Sequence, residues 1–201
     1  MKMKFNYLFM LILSAFMFTA CESDDDDNPN QNNQDDDPEV ITDLVLNFEN
    51  PDTQETFSVT FSDSDGPGGN PPMVGEINII EPASYLVSIN VSDASDPDDV
   101  EDITLEIEEE DEEHQFFYVL EGGASDVLEV SYAPGDVDDD GNPIGLETIW
   151  TTLGTTSGSE TVTVVLRHEP NKNAPGADEG ILSEEVGGET DIEVTFNLNI
   201  Q

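Results

Sequence analysis

From Val40 to the end of the chain, apolar residues mostly alternate with polar ones, the two-residue period of strands with one buried face. The alternation predicts nine strands, over 40–48, 56–61, 74–80, 85–91, 115–120, 127–132, 146–153, 160–166 and 192–200. Val, Ile, Thr, Phe and Tyr dominate these stretches, as a pleated, half-buried surface prefers. Between them lie the clusters DSDGPGGNPP, DASDPDD, APGDVDDDGNP and NKNAPGADEG, each rich in turn-forming residues. No helical pattern recurs between the strands, which counts against a βαβ fold. The expected fold is all-β: an immunoglobulin-like antiparallel β-sandwich with eight or nine strands.

One segment, 96–114, fits two periods. Val100, Ile103 and Ile107 fall at helical spacing, while Ile103, Leu105 and Ile107 also alternate as a strand would. Pro97 and the aspartates after it suit the positive end of a helix. A short helix near 98–110, packed on one end of the sandwich, is the expectation.

The first forty residues follow different rules. Lys2 and Lys4 precede an apolar run over 7–18, and Thr19-Ala20 stands before the sole cysteine, Cys21. The run is shorter than the roughly 20 residues a bilayer-spanning helix needs, so 1–20 reads as an export signal. Phe18-Thr19-Ala20-Cys21 resembles a bacterial lipobox, which implies that Cys21 is lipidated as the first mature residue. Residues 22–37 contain no aliphatic or aromatic side chain, and 21–38 is expected to be a lipidated Cys followed by an extended acidic tether. Cys21-Glu22-Ser23 with Asp24–Asp27 resembles the acidic signal that sends Bacteroidota-type lipoproteins to the outer face of the outer membrane. The sandwich is then assigned to 39–201.

Composition narrows the function. The chain holds 47 Asp and Glu against 4 Lys and Arg, a formal charge of −43, and 39–201 retains 39 of the acids with only Arg167 and Lys172 to oppose them. Such a surface repels phosphate, so nucleic acid is excluded as a partner and a cationic ligand is favoured. Leu, Ile, Val and Phe still make up 45 of the 163 residues in 39–201, enough for a packed core. With one cysteine there is no intramolecular disulfide and no thiolate zinc site. No G-x-S-x-G turn or other nucleophile constellation occurs, and Trp150, the only tryptophan, lies within a predicted strand. An enzyme is not expected, and no catalytic residue is assigned.

Three groups of residues carry candidate chemistry. Asp136, Asp138, Asp140 and Glu147, with Gly141, match the D-x-D-x-D-G-x5-E spacing of a calcium loop, in which alternate carboxylates converge on a hard cation and the glutamate closes the shell. Pro143 sits inside that loop and strands rather than helices flank it. Asp63, Asp65 and Asn70 form a shorter relative without the closing carboxylate. The two histidines, His114 and His168, each lie at the end of a predicted strand beside acids: Glu112 and Glu113 before the first, Glu169 after the second. Imidazole with carboxylate suits zinc or another transition ion, provided strands 54 residues apart bring the two together. The same acidic field is expected to raise both imidazole pKa values. Arg167 and Lys172 flank His168 and either position carboxylates there or tie the loop down through salt bridges.

The order of lipobox, acidic tether, EEHQFFY (112–118), DGNPIGL (140–146), LRHEPNK (166–172) and GGETDIEVTFNLNIQ (187–201) resembles small acidic Bacteroidota-type outer-membrane lipoproteins. These are often grouped under a periplasmic-binding-fold label and associated with TonB-dependent receptors. The resemblance implies a protein held in the outer membrane by its lipid and facing outside the cell. It would capture a ligand, such as a metal ion, for an uptake receptor, with calcium or zinc as the candidate cofactor. The alternative is a structural or adhesion lipoprotein whose loops calcium stiffens.

Overall fold

The computed structural model describes residues 39–66 and 68–201. The expected leader, Cys21 and acidic tether lie outside the described residues. The elements in order are β1 (Asp43–Asn50), β2 (Glu55–Ser62), β3 (Met73–Val74), β4 (Glu76–Ile79), β5 (Ser84–Ser92), α1 (Ile103–Glu109), β6 (His114–Glu121), β7 (Leu128–Tyr132), β8 (Glu147–Thr152), β9 (Thr161–His168) and β10 (Glu189–Ile200). They form a six-stranded sheet, β3-β2-β1-β5-β8-β7, facing a four-stranded sheet, β4-β10-β9-β6. The subset β1-β5-β8-β7 opposite β10-β9-β6 has the A-B-E-D and G-F-C order of an immunoglobulin-like sandwich. The hairpin of β1 and β2 widens the first sheet beyond that frame, and β4 adds a parallel edge to β10.

Alternation in the sequence becomes alternation in burial. On β1, Leu44, Leu46 and Phe48 point inward and are essentially inaccessible; Tyr85, Val87, Ile89 and Val91 of β5 and the five apolar residues from Ile192 to Ile200 of β10 do the same. Each such side chain stabilises the fold by roughly 1.5–3 kcal/mol relative to exposure. Trp150 of β8 is fully buried; its ring meets Phe48 edge-on at 5.3 Å and Tyr118 at 5.9 Å, and its indole N–H donates to Thr148 Oγ1 at 2.9 Å. It is core, as its place in a strand suggested.

The predicted strands are present with shifted ends, and one is split. The stretch 74–80 becomes β3, paired with β2 in the first sheet, and β4, paired with β10 in the second. The chain changes sheets at Gly75, where a Cβ would lie 2.9 Å from a Val59 methyl and 3.2 Å from the Thr60 carbonyl. The helix is shorter than the spacing predicts. Asp93 and Glu101 form an antiparallel bridge that holds 93–101 as a loop, and Asp102 caps the first turn by accepting from the Thr104 N–H at 3.2 Å. Val100 and Leu105 are exposed, whereas Ile103 and Ile107 are buried, so the helical period governs this segment. Thr104 fastens α1 to β5 by donating to the Val91 carbonyl and accepting from the Val91 N–H.

Strands β6 and β9 are buried on both faces. Val162, Val164 and Leu166 face the main core, while Val165 and its register partner Phe117 face outward onto Ala174, Ala177 and Val186 of the 169–188 loop. That second cover explains the near-continuous apolar runs QFFYVL and VTVVL. It also places the loop after β9 against the end of the sheet where both histidines sit. Among the described residues, no helix is long and apolar enough to cross a membrane.

Candidate metal centre

His114 opens β6 and His168 closes β9, and the antiparallel register sets them directly opposite each other. The core-facing rows Phe116–Tyr118 and Val162–Val164–Leu166 therefore end in two imidazoles instead of two more aliphatic side chains. Their rings stack with centroids 4.8 Å apart and planes 20° from parallel, and both residues are buried. The third member comes from β10. Its pairing with β9 slips between Thr190 and Ile192, so Asp191 is the extra residue of a β-bulge. Its side chain is 0% exposed and lies at the edges of both rings: Oδ2 is 3.8 Å from His114 Nε2 and Oδ1 is 3.9 Å from His168 Nδ1.

None of these separations is a hydrogen bond. His114 Nε2 and both Asp191 carboxylate oxygens are buried without a hydrogen-bond partner, and the Glu39 backbone N–H faces the carboxylate without reaching bonding geometry. Leaving a buried polar group unsatisfied costs about 1–3 kcal/mol. Three such atoms gathered at one place are an arrangement that apolar packing does not require. The other ring nitrogen of His114, Nδ1, lies 3.2 Å from the Glu110 carbonyl. A carbonyl only accepts, so Nδ1 carries the proton and Nε2 presents a lone pair toward Asp191. Histidine ligands of metals are oriented in this way, by donating the second N–H to a fixed acceptor.

The electrostatics favour an uncharged imidazole at His114. Burial pushes its pKa down, the Glu110 carbonyl opposes that shift, and the neighbouring His168 adds to it. The upward shift expected from the acidic field is corrected here: desolvation outweighs the carboxylates, because the ring is sealed from water. Burial also raises the Asp191 pKa, against the attraction of His168. One ligand atom each from His114, His168 and Asp191 lies within 4.8 Å of the others. Glu39, Glu110 and His114 form a second such group.

Of the acids flanking the histidines, Glu113 approaches the site, with Oε2 3.9 Å from His168 Nε2. Glu112 and Glu169 are exposed and belong to neither group. Glu169 turns away because its backbone is left-handed, with φ of 50°, and its N–H donates to the Glu113 carbonyl at 2.7 Å.

The Asp136–Glu147 loop is organised without converging carboxylates. Asp136 Oδ2 accepts from the backbone N–H groups of Gly145 at 2.8 Å and Glu147 at 3.0 Å. Asp138 accepts from the N–H groups of Asp140 and Asn142, and its Oδ2 meets Lys172 Nζ at 3.1 Å in a pair whose side chains are 1% and 4% exposed. Burial alone would raise the Asp138 pKa; the Asn142 N–H and the Lys172 ammonium hold it below the ordinary value. Asp140 and Glu147 are exposed, and no three of the four carboxylates form a ligand group among the described residues. Asp138 pairs instead with Lys172, which also donates to the Asp111 carbonyl. Asp65 likewise spends one carboxylate oxygen on the backbone and side-chain N–H groups of Asn70. Arg167 donates to Thr190 Oγ1 at 2.6 Å across the sheet.

The largely apolar groove of about 340 Å³ lined by Tyr118, Val130, Tyr132 and Ile181 includes none of the three central residues. Comparison with known proteins adds no precedent: no family model, no curated protein and no solved structure matches the chain.

Proposed function

We propose that this domain is a transition-metal-binding module, and that the whole chain is a lipoprotein anchored at the outer membrane, facing outward, which captures a divalent ion for an uptake receptor. The observation that carries the metal reading is the buried group of His114, His168 and Asp191, in which an ion would satisfy the orphaned His114 Nε2 and Asp191 carboxylate oxygens. Two imidazoles and one carboxylate suit Zn, Cu, Fe or Ni rather than calcium or magnesium, which take oxygen ligands. A tetrahedral zinc with bonds of about 2.0–2.1 Å separates its ligands by about 3.4 Å. The 3.8 and 3.9 Å separations therefore need to close by only about half an ångström. The rings must also splay from their stack, since a metal lies in the plane of each imidazole it binds. The anchor and the receptor rest on the Phe18–Cys21 lipobox, the acidic tether and the resemblance given above. The surface charge serves the same end by concentrating cations around the domain.

Competition titration of the full-length protein in detergent, with a chromophoric zinc chelator, tests the metal reading. The expected result is micromolar or tighter zinc binding that the His114→Ala, His168→Ala double variant and Asp191→Asn each abolish. Binding no tighter than millimolar, or equal binding by all three proteins, contradicts it.

A further inference from the structure

The triad leaves at least one coordination position to be filled, and a candidate for it is the first described residue. Glu39 offers a ligand atom within 4.8 Å of those of His114 and Glu110. Its backbone N–H faces Asp191, and its carboxyl lies near that of Glu106 on α1. Glu39 and Glu110 are thus gathered beside His114, with Glu106 next to them. The domain's two basic residues are committed elsewhere, Lys172 to Asp138 and Asp111, Arg167 to Thr190. Asp191 and Glu110 repel the Glu39 carboxylate, and His168 attracts it.

Position in the chain gives this residue a second meaning. Glu39 stands where the acidic stretch 22–37 gives way to the sandwich, only four residues before β1. Resting on the metal reading above, we propose that Glu39 is the closing ligand of the site, so that capture of the ion fastens the lead-in of the tether onto the end of β6, β9 and β10. A carboxylate contributed from outside the strands can swing away to admit the ion and return to exclude water. The His114–His168–Asp191 set is held by strand register and has no such freedom. The arrangement makes ion occupancy legible at the point where the domain leaves its anchor.

The test compares the full-length protein with Glu39→Gln and with Glu112→Gln in detergent. Glu112→Gln removes the same charge from an exposed neighbour outside both ligand groups, and so controls for the bulk acidic field. Zinc affinity is read by chelator competition, zinc release by stopped flow into excess chelator, and backbone protection of 39–42 by hydrogen exchange with and without zinc. Loss of a supporting group at a metal site typically weakens binding about 10–100-fold. Glu39→Gln should therefore lower affinity at least tenfold through faster release, and zinc should no longer protect 39–42, while Glu112→Gln stays within about twofold of the unaltered protein. If the unaltered protein binds zinc and Glu39→Gln binds and releases it identically, the Glu39 proposal is overturned and the triad stands. Absence of zinc binding by the unaltered protein overturns both.

Discussion

Replacing Lys172 by methionine isolates the buried ion pair of the 136–147 loop. Methionine keeps the length and apolar stem of the side chain but removes the charge and its donors. In the native protein Lys172 Nζ sits 3.1 Å from Asp138 Oδ2 and also donates to the Asp111 carbonyl, with both charged side chains almost inaccessible. Removing one partner of a buried pair costs about 3–5 kcal/mol. Asp138 would keep the N–H groups of Asp140 and Asn142 and the Asn142 side-chain amide, which places its share at the low end, about 3 kcal/mol. The Asp111 carbonyl, left without its donor, adds up to about 1 kcal/mol. Urea denaturation at pH 7 is the assay; with a slope of about 2 kcal/mol per molar, the midpoint should fall by about 1.5–2 M with the slope unchanged. Adding Asp138→Asn to Lys172→Met should recover part of the loss, since a neutral amide needs no counter-charge. A loss below about 1 kcal/mol would show the pair to be solvated and the reasoning wrong. Millimolar calcium restoring the variant to native stability would make the loop a cation site after all.

Two further outcomes follow from other parts of the fold. Glu160, only 7% exposed, accepts from the N–H groups of Ser157, Gly158 and Ser159 and from the Ser157 hydroxyl, and these bonds hold its carboxyl at about 2, below the usual 4.5. A lowered carboxylate pKa stabilises the fold above the ordinary value and loses that contribution as pH falls through the folded one, so Glu160→Gln should melt earlier at pH 7 and converge with the native protein near pH 2. A constant gap between the two melting curves across that range would contradict the assignment. Gly188 has φ of 74°, and a Cβ there would run into the His168 carbonyl and approach Pro170 Cα to 3.1 Å. Gly188→Ala should therefore displace the ends of β9 and β10, lowering the melting temperature and weakening zinc binding at least tenfold, the range for lost support of a metal ligand. Unchanged affinity in the chelator assay would separate that turn from the metal site.

Much of the sandwich was legible because period-two burial is written residue by residue. Leu44–Leu46–Phe48 and Ile192–Val194–Phe196–Leu198–Ile200 needed only parity to be placed. The sheet change at Gly75 was not legible, because a one-residue corner inside a continuous alternating run leaves the pattern intact. The site shows the same division. His114 and His168 stood out by scarcity and by lying at strand ends, and the β6–β9 register brings them together. Asp191 did not stand out. With Ile192 and Val194 facing inward, parity assigns Asp191 to the outer face, and only the bulge at 190–192 turns it toward the histidines. The partners of the 136–147 carboxylates were not legible for a related reason: motif spacing sees Asp136 and Asp138 but not the backbone N–H groups and the distant lysine that engage them.

The proposed site holds one transition ion between β6, β9 and β10. A crystal of the protein grown with one equivalent of zinc, with data on either side of the zinc absorption edge, tests it most directly. The expected result is a single strong anomalous peak about 2 Å from His114 Nε2 and from a ring nitrogen of His168, with an Asp191 oxygen completing the inner set and the two rings no longer stacked. A peak only among the exposed surface acids, or none between the two histidines, would contradict it.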